Sequence, residues 1–410
     1  MSTNLQDWVE LLNAEQHVQV DKLKEHARHG VAARVRGEVW LYLLEVLSED
    51  KTAEITSLLS LNTTYQALPH EIPSDLTASL MRIALGHHTK RFRSETYAGL
   101  ISSLTAERQA STTSNKGKEK QGHSQPSSGS RSFSLNSSNE GRHSGVSPLL
   151  TSIEKNPPPP ISLSPHGQDE GLDGNDDEDN LNTLRSQLSR ILPPPPNAPP
   201  SRHHYISIIE EVLGKYYNAE TLLGKHNNEN HRGKGDRYYY GDEHEDKGDW
   251  IYLVTPFICV LSRPVGVFLG FQKLMERLKS FPSIPSRLAS FLTLFRISQP
   301  ELFSYCEDEQ VPYVQVAMSW MTTLLAKEMW LGDVLRLWDA YLASDDMFAL
   351  HCYVCVAILS TCKETLEELD GSEAKLMLLD LPPLDVDRLL QDAANLRVSF
   401  PLPRPVDDEA

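Results

Sequence analysis

The chain is short of several things, and each shortage excludes a class of protein. Only five of its 410 residues are cysteine, too few for a disulfide-stapled scaffold and suggestive of reduced thiols in the cytosol. No apolar run reaches the roughly eighteen residues that a membrane-spanning helix needs, so no transmembrane segment is expected. The stretch Met1 to Asp7 lacks the basic-then-apolar pattern of a secretory signal. Positive charge is scarce: 39 Lys and Arg face 56 Asp and Glu, a net charge of −17. Phosphate binding needs clustered cations, which argues against nucleic acid and against general attraction to anionic lipid. Acidity is compatible with a protein partner without identifying one. No alternating strand pattern is found either, which argues against a sheet.

The apolar residues that are present recur at helical spacing. Trp8, Leu11 and Leu12 open an amphipathic helix that Gly30 can end. Leu76, Leu80 and Ile83 share a face, as do Ile206, Ile209 and Leu213. Trp250 to Leu261 is largely apolar; alone it fits a buried strand or a buried helix, and the lack of any accompanying alternating pattern favours helix. Further helical stripes are Phe268 to Leu278, Leu288 to Phe295, Val316–Trp320–Leu324–Leu325, Val334–Leu335–Trp338, Tyr353 to Leu359, Leu376 to Leu379 and Leu389 to Ala393. About a dozen helices result. The expected fold class is all-α.

Two stretches break the pattern. From Ser111 to Ser201 the chain is rich in Ser, Asn, Gly and Pro. It holds a basic cluster (Lys116, Lys118, Lys120), an acidic patch from Asp169 to Asp179, and two proline runs, Pro157 to Pro160 and Pro193 to Pro200. Such a composition buries too little surface to offset its ordering entropy, so 111–201 is expected to be disordered. Its proline runs suit stiff spacers, or polyproline ligands of SH3 or WW domains. The second stretch, 223–248, carries His226, His231, His244 and several acids. Their spacing matches no compact metal site, and a solvated polar loop is expected. Cys352 and Cys355 form a Cys-x-x-Cys inside an apolar stripe, which reads as buried structural cysteine rather than zinc or redox chemistry.

The segment Gly30 to Leu44 reads as a turn launching a helix, with Arg36 four residues ahead of Trp40 on one face. Its wording, Gly-hydrophobic-x-x-x-x-Arg-Gly-x-Val-Trp-x-x-Leu-Leu, resembles the opening of the TBC domain of Rab GTPase-activating proteins. Further matches are Pro300-Glu301-Leu302-Phe303, Trp320 followed by Leu324-Leu325, Leu335-Arg336-Leu337-Trp338-Asp339, and Leu381-Pro382 ahead of Leu389, Leu390 and Ala393. The resemblance implies an all-α, multi-helix domain with a long insertion. Its parts are an N-terminal amphipathic helix in 1–29, domain segments 30–110, 202–222 and 249–400, insertions 111–201 and 223–248, and a flexible tail 401–410. Arg36, Trp40, Trp320, Trp338 and Asp339 are implied as packing residues. A small GTPase of Rab type in its GTP form is implied as partner. No cofactor and no metal are implied. The implied setting is the cytoplasm and vesicle trafficking, with contact to membranes through the GTPase.

Activity in that family rests on an arginine in Ile-x-x-Asp-x-x-Arg and a glutamine in Tyr-x-Gln-Gly. The first stabilises charge on the transferring phosphoryl group and the second orients the attacking water. This sequence departs from both. One register, Ile72 to Ala78, keeps Ile and Asp75 but puts Ala where arginine belongs. The other, Leu76 to Arg82, keeps the arginine and has Ser79 for Asp. The second is preferred, because His87, His88 and Phe92 follow as in the family and Pro73 suits a helix start. Arg82 is thus the candidate arginine finger. Tyr216-Tyr217-Asn218-Ala219-Glu220 resembles the family's Tyr-Asn-x-Glu, but the polar stretch follows where Tyr-x-Gln-Gly is expected. There Tyr240 of Tyr238-Tyr239-Tyr240-Gly241 takes the glutamine's place. Two readings stay open: an activator using Arg82 alone, and a non-catalytic TBC module serving as a binding subunit of a larger regulatory complex.

Overall fold

The computed structural model describes residues 5–13, 16–92, 200–230 and 247–402. Sixteen helices occur among these residues: α1 Leu5–Leu12, α2 Val20–Ala27, α3 Arg36–Leu43, α4 Lys51–Ala67, α5 Ser74–Arg91, α6 Arg202–Asn230, α7 Trp250–Val260, α8 Pro264–Lys279, α9 Ile284–Ser298, α10 Pro300–Asp308, α11 Tyr313–Thr323, α12 Leu331–Leu342, α13 Met347–Thr361, α14 Lys363–Leu366, α15 Gly371–Leu378 and α16 Val386–Ser399. No strand occurs among the described residues; the sole extended pairing there is an antiparallel bridge between His17 and Asp50. The all-α expectation holds.

Helix α13 forms the axis of the C-terminal half. Every residue from His351 to Leu359 is buried, which explains why its sequence is apolar all round rather than amphipathic. It packs against α9 and α16. In the N-terminal half, α3 packs on α2, α7 and α12, while α5 lies against α6 and α7. The two halves share one core. At its centre Trp40, Phe257 and Trp338 meet with ring centroids 5.6–5.9 Å apart.

Three details differ from the sequence reading. The N-terminal amphipathic helix is two helices, α1 and α2. Between them the backbone turns aside to pair with the segment before α4, through Val18 N to Glu49 O (2.9 Å) and Lys51 N to Gln16 O (3.0 Å). The helix after the long insertion continues beyond 222 to Asn230, into the segment expected to be loop. Polar composition removes the apolar stripe but not the backbone bonding that propagates a helix already nucleated. Leu324 and Leu325 do not continue α11. Both adopt left-handed backbone, φ 51° and 65°, and the Leu324 carbonyl instead accepts from Trp338 Nε1 at 3.3 Å.

Residues 111–199 of the expected insertion, with its proline runs up to 199, and residues 231–246 and 403–410 lie outside the described residues. The ends of the longest gap are side by side. His88 stacks on Phe92 at 4.7 Å, and Tyr205 lies 5.0 Å from Phe92 and 5.1 Å from His88. Pro200 is buried, with its carbonyl 3.4 Å from His88 Nε2. Helices α5 and α6 therefore pack directly on one another despite 107 residues between Phe92 and Pro200.

Candidate functional site

The motif residues fold into two different places. Arg36, Trp40 and Asp339 come together at one buried point. Asp339 accepts from Trp40 Nε1 at 2.7 Å, Arg36 Nε at 3.0 Å and the Val31 backbone N–H at 2.8 Å. Arg36 also reaches back to the Val31 carbonyl at 2.9 Å. Burial pushes the Asp339 pKa up, opposed by the Arg36 charge and these N–H donors. A fully buried carboxylate is tolerable only with such complete pairing. Trp320 is the beam of the C-terminal half: its Nε1 donates to Leu378 O at 3.1 Å, and its carbonyl lies 3.0 Å from His351 Nε2. Trp40, Trp320, Trp338 and Asp339 are buried, and Arg36 is partly buried. Cys352 and Cys355 are also buried; burial raises both thiols, that of Cys352 to about 12.

Arg82 stands apart from this interior. Helix α5 begins directly after Pro73, its N-cap residue. The register Leu76 to Arg82 therefore lies wholly within the helix, whereas Ile72 of the other register precedes it. The buried stripe of α5 is Leu76, Leu80, Ala84, His87 and Arg91. Arg82 sits two residues from both Leu80 and Ala84, about 200° around the helix, and so faces away from the core. It is exposed, and no hydrogen bond or ion pair ties it to a described residue. One turn either side stand Ala78, Ser79, Leu85 and Gly86. Gly86 has open space around it: nothing lies within 4 Å of where a Cβ would be.

Residues 247 and 248, which lead into α7, lie beside α6 and α5. A Cβ on Gly248 would come within 2.9 Å of Ile83 Cδ1, and Lys247 Nζ lies 5.5 Å from the Tyr217 ring of α6. Tyr240 itself lies outside the described residues.

The C-terminal end of α5 holds a buried polar cluster that the sequence reading passed over. Arg91 Nη2 donates to the carbonyls of Lys327 and Glu328, both at 2.7 Å, and pairs with Asp380 at 3.1 Å. The Glu328 carboxylate is buried and accepts from Ser319 at 2.6 Å and Thr323 at 3.1 Å. Desolvation raises its pKa, partly offset by those hydroxyls and by Lys327. His87 packs edge-on to Tyr252 at 5.0 Å. Burial, with Arg91 and Lys90 nearby, lowers its pKa to about 3, so it is neutral. A charged residue on an otherwise apolar helical stripe is the signal that would have picked out Arg91.

Residues 248–367 match the family model of the Rab-GTPase-TBC domain, and the chain carries such a domain. Human TBC1 domain family member 13 is 35% identical over 143 residues, 35% of each chain. Human TBC1 domain family member 22A is 34% identical over 126 residues, 29% of this chain and 24% of its own length. GTPase-activating protein gyp1 of Schizosaccharomyces pombe is 31% identical over 96 residues, 23% of this chain and 18% of its own. The matched stretches thus span about a third or less of these relatives. Among solved structures, the Ypt/Rab-GAP domain of Gyp1p superposes with a TM-score of 0.52 at 15% identity, covering 96% of this chain and 98% of that one. That similarity is one of fold. The family match begins after α6, so α5 and Arg82 lie outside it.

Proposed function

We propose that this chain regulates a Rab-type small GTPase in its GTP form, as a GTPase-activating protein whose arginine finger is Arg82. The observation that carries the reading is the placement of Arg82: a guanidinium on a helix, turned away from the core, with no hydrogen bond or ion pair to a described residue. GTP hydrolysis leaves little covalent chemistry to an activator, so its work is positioning and charge stabilisation. A guanidinium presented on a helix can enter a partner's nucleotide site and donate to the phosphoryl oxygens as negative charge develops. The small residues Ala78, Ser79 and Gly86 around it let a partner's surface approach closely. No glutamine occupies the family's Tyr-x-Gln-Gly position, so the GTPase supplies its own water-orienting residue in this reading. The relatives named for the TBC domain and for GTPase activation support the same class. The proline runs offer SH3 or WW domains a second contact, and the setting is the cytoplasmic side of membranes that carry the GTPase.

One feature favours a second reading, a non-catalytic TBC module in a larger regulatory complex: Tyr240 stands where the family has its glutamine. A phenol hydroxyl lacks the paired carbonyl and NH₂ that hold a water. Single-turnover GTP hydrolysis by a panel of Rab GTPases separates the two. An activator accelerates at least one of them, and Arg82→Ala removes about 10³-fold or more of that acceleration. If no GTPase responds, or if Arg82→Ala changes nothing, the module reading stands.

A further inference from the structure

Helix α5 is secured at both ends by side chains that capture main-chain carbonyls, and among the described residues the face that carries Arg82 is exposed. At its N-terminal side the connection from α4 into α5 is seated on α6. Lys215 Nζ donates to Tyr65 O and Leu68 O, both at 2.8 Å, with the Tyr65 ring 4.5 Å away. One turn on, Asn218 Nδ2 donates to Pro69 O and Glu71 O, both at 3.0 Å, and to Gly214 O at 2.9 Å. Three carbonyls around one side-chain atom identify it as the amide nitrogen. Gly214 completes the seat: a Cβ there would stand 2.0 Å from His70 O, so only glycine allows the contact. Three residues of one helical turn thus bind the backbone from Tyr65 to Glu71, three residues before α5 begins.

At the C-terminal end, Arg91 grips the carbonyls of Lys327 and Glu328 and pairs with Asp380. The gripped turn is itself braced. Trp338 Nε1 holds Leu324 O, two successive leucines take left-handed backbone, and Leu381 N donates to Glu328 O at 3.1 Å. Non-glycine residues in that conformation persist only where their surroundings over-determine them. The turn is therefore a fixed anchor.

From these two grips we infer that Asn218 and Arg91 are positioning residues: they fix the axial register of α5 and so aim Arg82, without touching the partner. The inference rests on Arg82 being the arginine finger. It also gives Asn218, in the Tyr-Asn-x-Glu stretch, a task that does not depend on the missing glutamine. Displacing a catalytic group by about 1 Å can cost on the order of 10²-fold in rate, so loss of one grip is expected to lower turnover far more than affinity.

The test compares full-length wild type with Asn218→Ala and Arg91→Lys, using amide hydrogen exchange by mass spectrometry and single-turnover hydrolysis on a GTP-loaded Rab panel. Asn218 is partly exposed, so its truncation leaves the core intact; Arg91→Lys keeps a cation on the helix but, one bond shorter, withdraws it from the Lys327 and Glu328 carbonyls that Nη2 reaches. The expected result is exchange about tenfold or more faster within residues 74–91, with α13 unchanged. With it comes about a 10²-fold loss in maximal stimulation at an unaltered half-saturating concentration. Unchanged exchange across 74–91 in both variants overturns the inference, whatever the kinetics. Faster exchange with a rise in half-saturation alone also overturns it, because the grips would then serve binding and not aim. A panel on which the wild type is inactive overturns the activator reading, and with it the aiming role; that failure is told apart by occurring before any substitution is made.

Discussion

Trp40 Nε1 donates to Asp339 Oδ1 at 2.7 Å across 299 residues of sequence. This bond joins the first helix of the domain's opening motif to the Trp-Asp pair of α12, and the Arg36 guanidinium seals it from one side. It makes the two halves of the chain a single cooperative unit, although a long insertion separates them.

Asp339→Ala is expected to destabilise the fold by about 3–5 kcal/mol, because it leaves the partly buried Arg36 beside an empty site and orphans two N–H donors. Trp40→Phe removes one donor and part of the ring packing, and is expected to cost less. Urea denaturation with a shared slope measures both; equal midpoints for wild type and Asp339→Ala would refute the pairing as a keystone.

The glycines give opposite signs for one substitution. Gly86 lies mid-helix in open space, so Gly86→Ala is expected to stabilise by about 1 kcal/mol. At Gly37 the added Cβ would stand 2.4 Å from Val260 O and 2.7 Å from a Leu261 methyl. Gly37→Ala is therefore expected to destabilise, by roughly 1–3 kcal/mol. Thermal melts of the two variants should move in opposite directions. A bulky Gly86→Trp should leave Tm close to that of wild type yet abolish stimulation of a Rab GTPase, if that partner docks on the Arg82 face.

Acid should weaken the fold through two histidines. Burial lowers both His87 and His351 from an ordinary value of 6.5 to about 3. Unfolding exposes each ring, which then takes up a proton below pH 6.5. The unfolded state thus binds more protons between pH 6.5 and 3, so stability is fully present above 6.5 and falls as pH drops through that window. Each ring contributes up to about 1.4 kcal/mol per pH unit there. The slope of stability against pH, from denaturation at pH 5 to 7, should flatten in His87→Phe; an unaltered slope would rule out a buried neutral His87.

Thiol chemistry should follow burial. Cys352 and Cys355 are inaccessible and their thiols are pushed up, so alkylation by iodoacetamide is expected only on unfolding. Cys259 is half-buried and should react first among the five. Rapid modification of Cys352 in the native protein would contradict its place inside α13.

Residues 111–196 should be removable. The flanking helices meet through His88, Phe92 and Tyr205, and the segment's composition offers little to bury. Deletion is expected to leave Tm nearly unchanged, whereas extending it through Pro200 and Ser201 removes a buried residue and should lower Tm. Differential scanning of the two deletions checks this, and a large loss in the shorter one would place part of the segment in the core.

The sequence by itself determined the helical class and the apolar faces of its helices. Those features are local or periodic: an apolar stripe at Leu76 and Leu80, or a Trp-Asp pair, is legible because burial on a helix imposes its own spacing. What reaches across the chain was not legible. Nothing in Leu324-Leu325 announces left-handed backbone, because the cause is a tryptophan fourteen residues on that claims the Leu324 carbonyl. Nor does Asn218 reveal that it holds Pro69 and Glu71, or Arg91 that it grips Lys327 and Glu328. Those bonds end on main-chain carbonyls, which every residue possesses, so no side-chain pattern records them. The tertiary structure alone decided that Arg82 faces outward from a helix fixed at both ends, since direction and register come from packing between segments 147 and 237 residues apart.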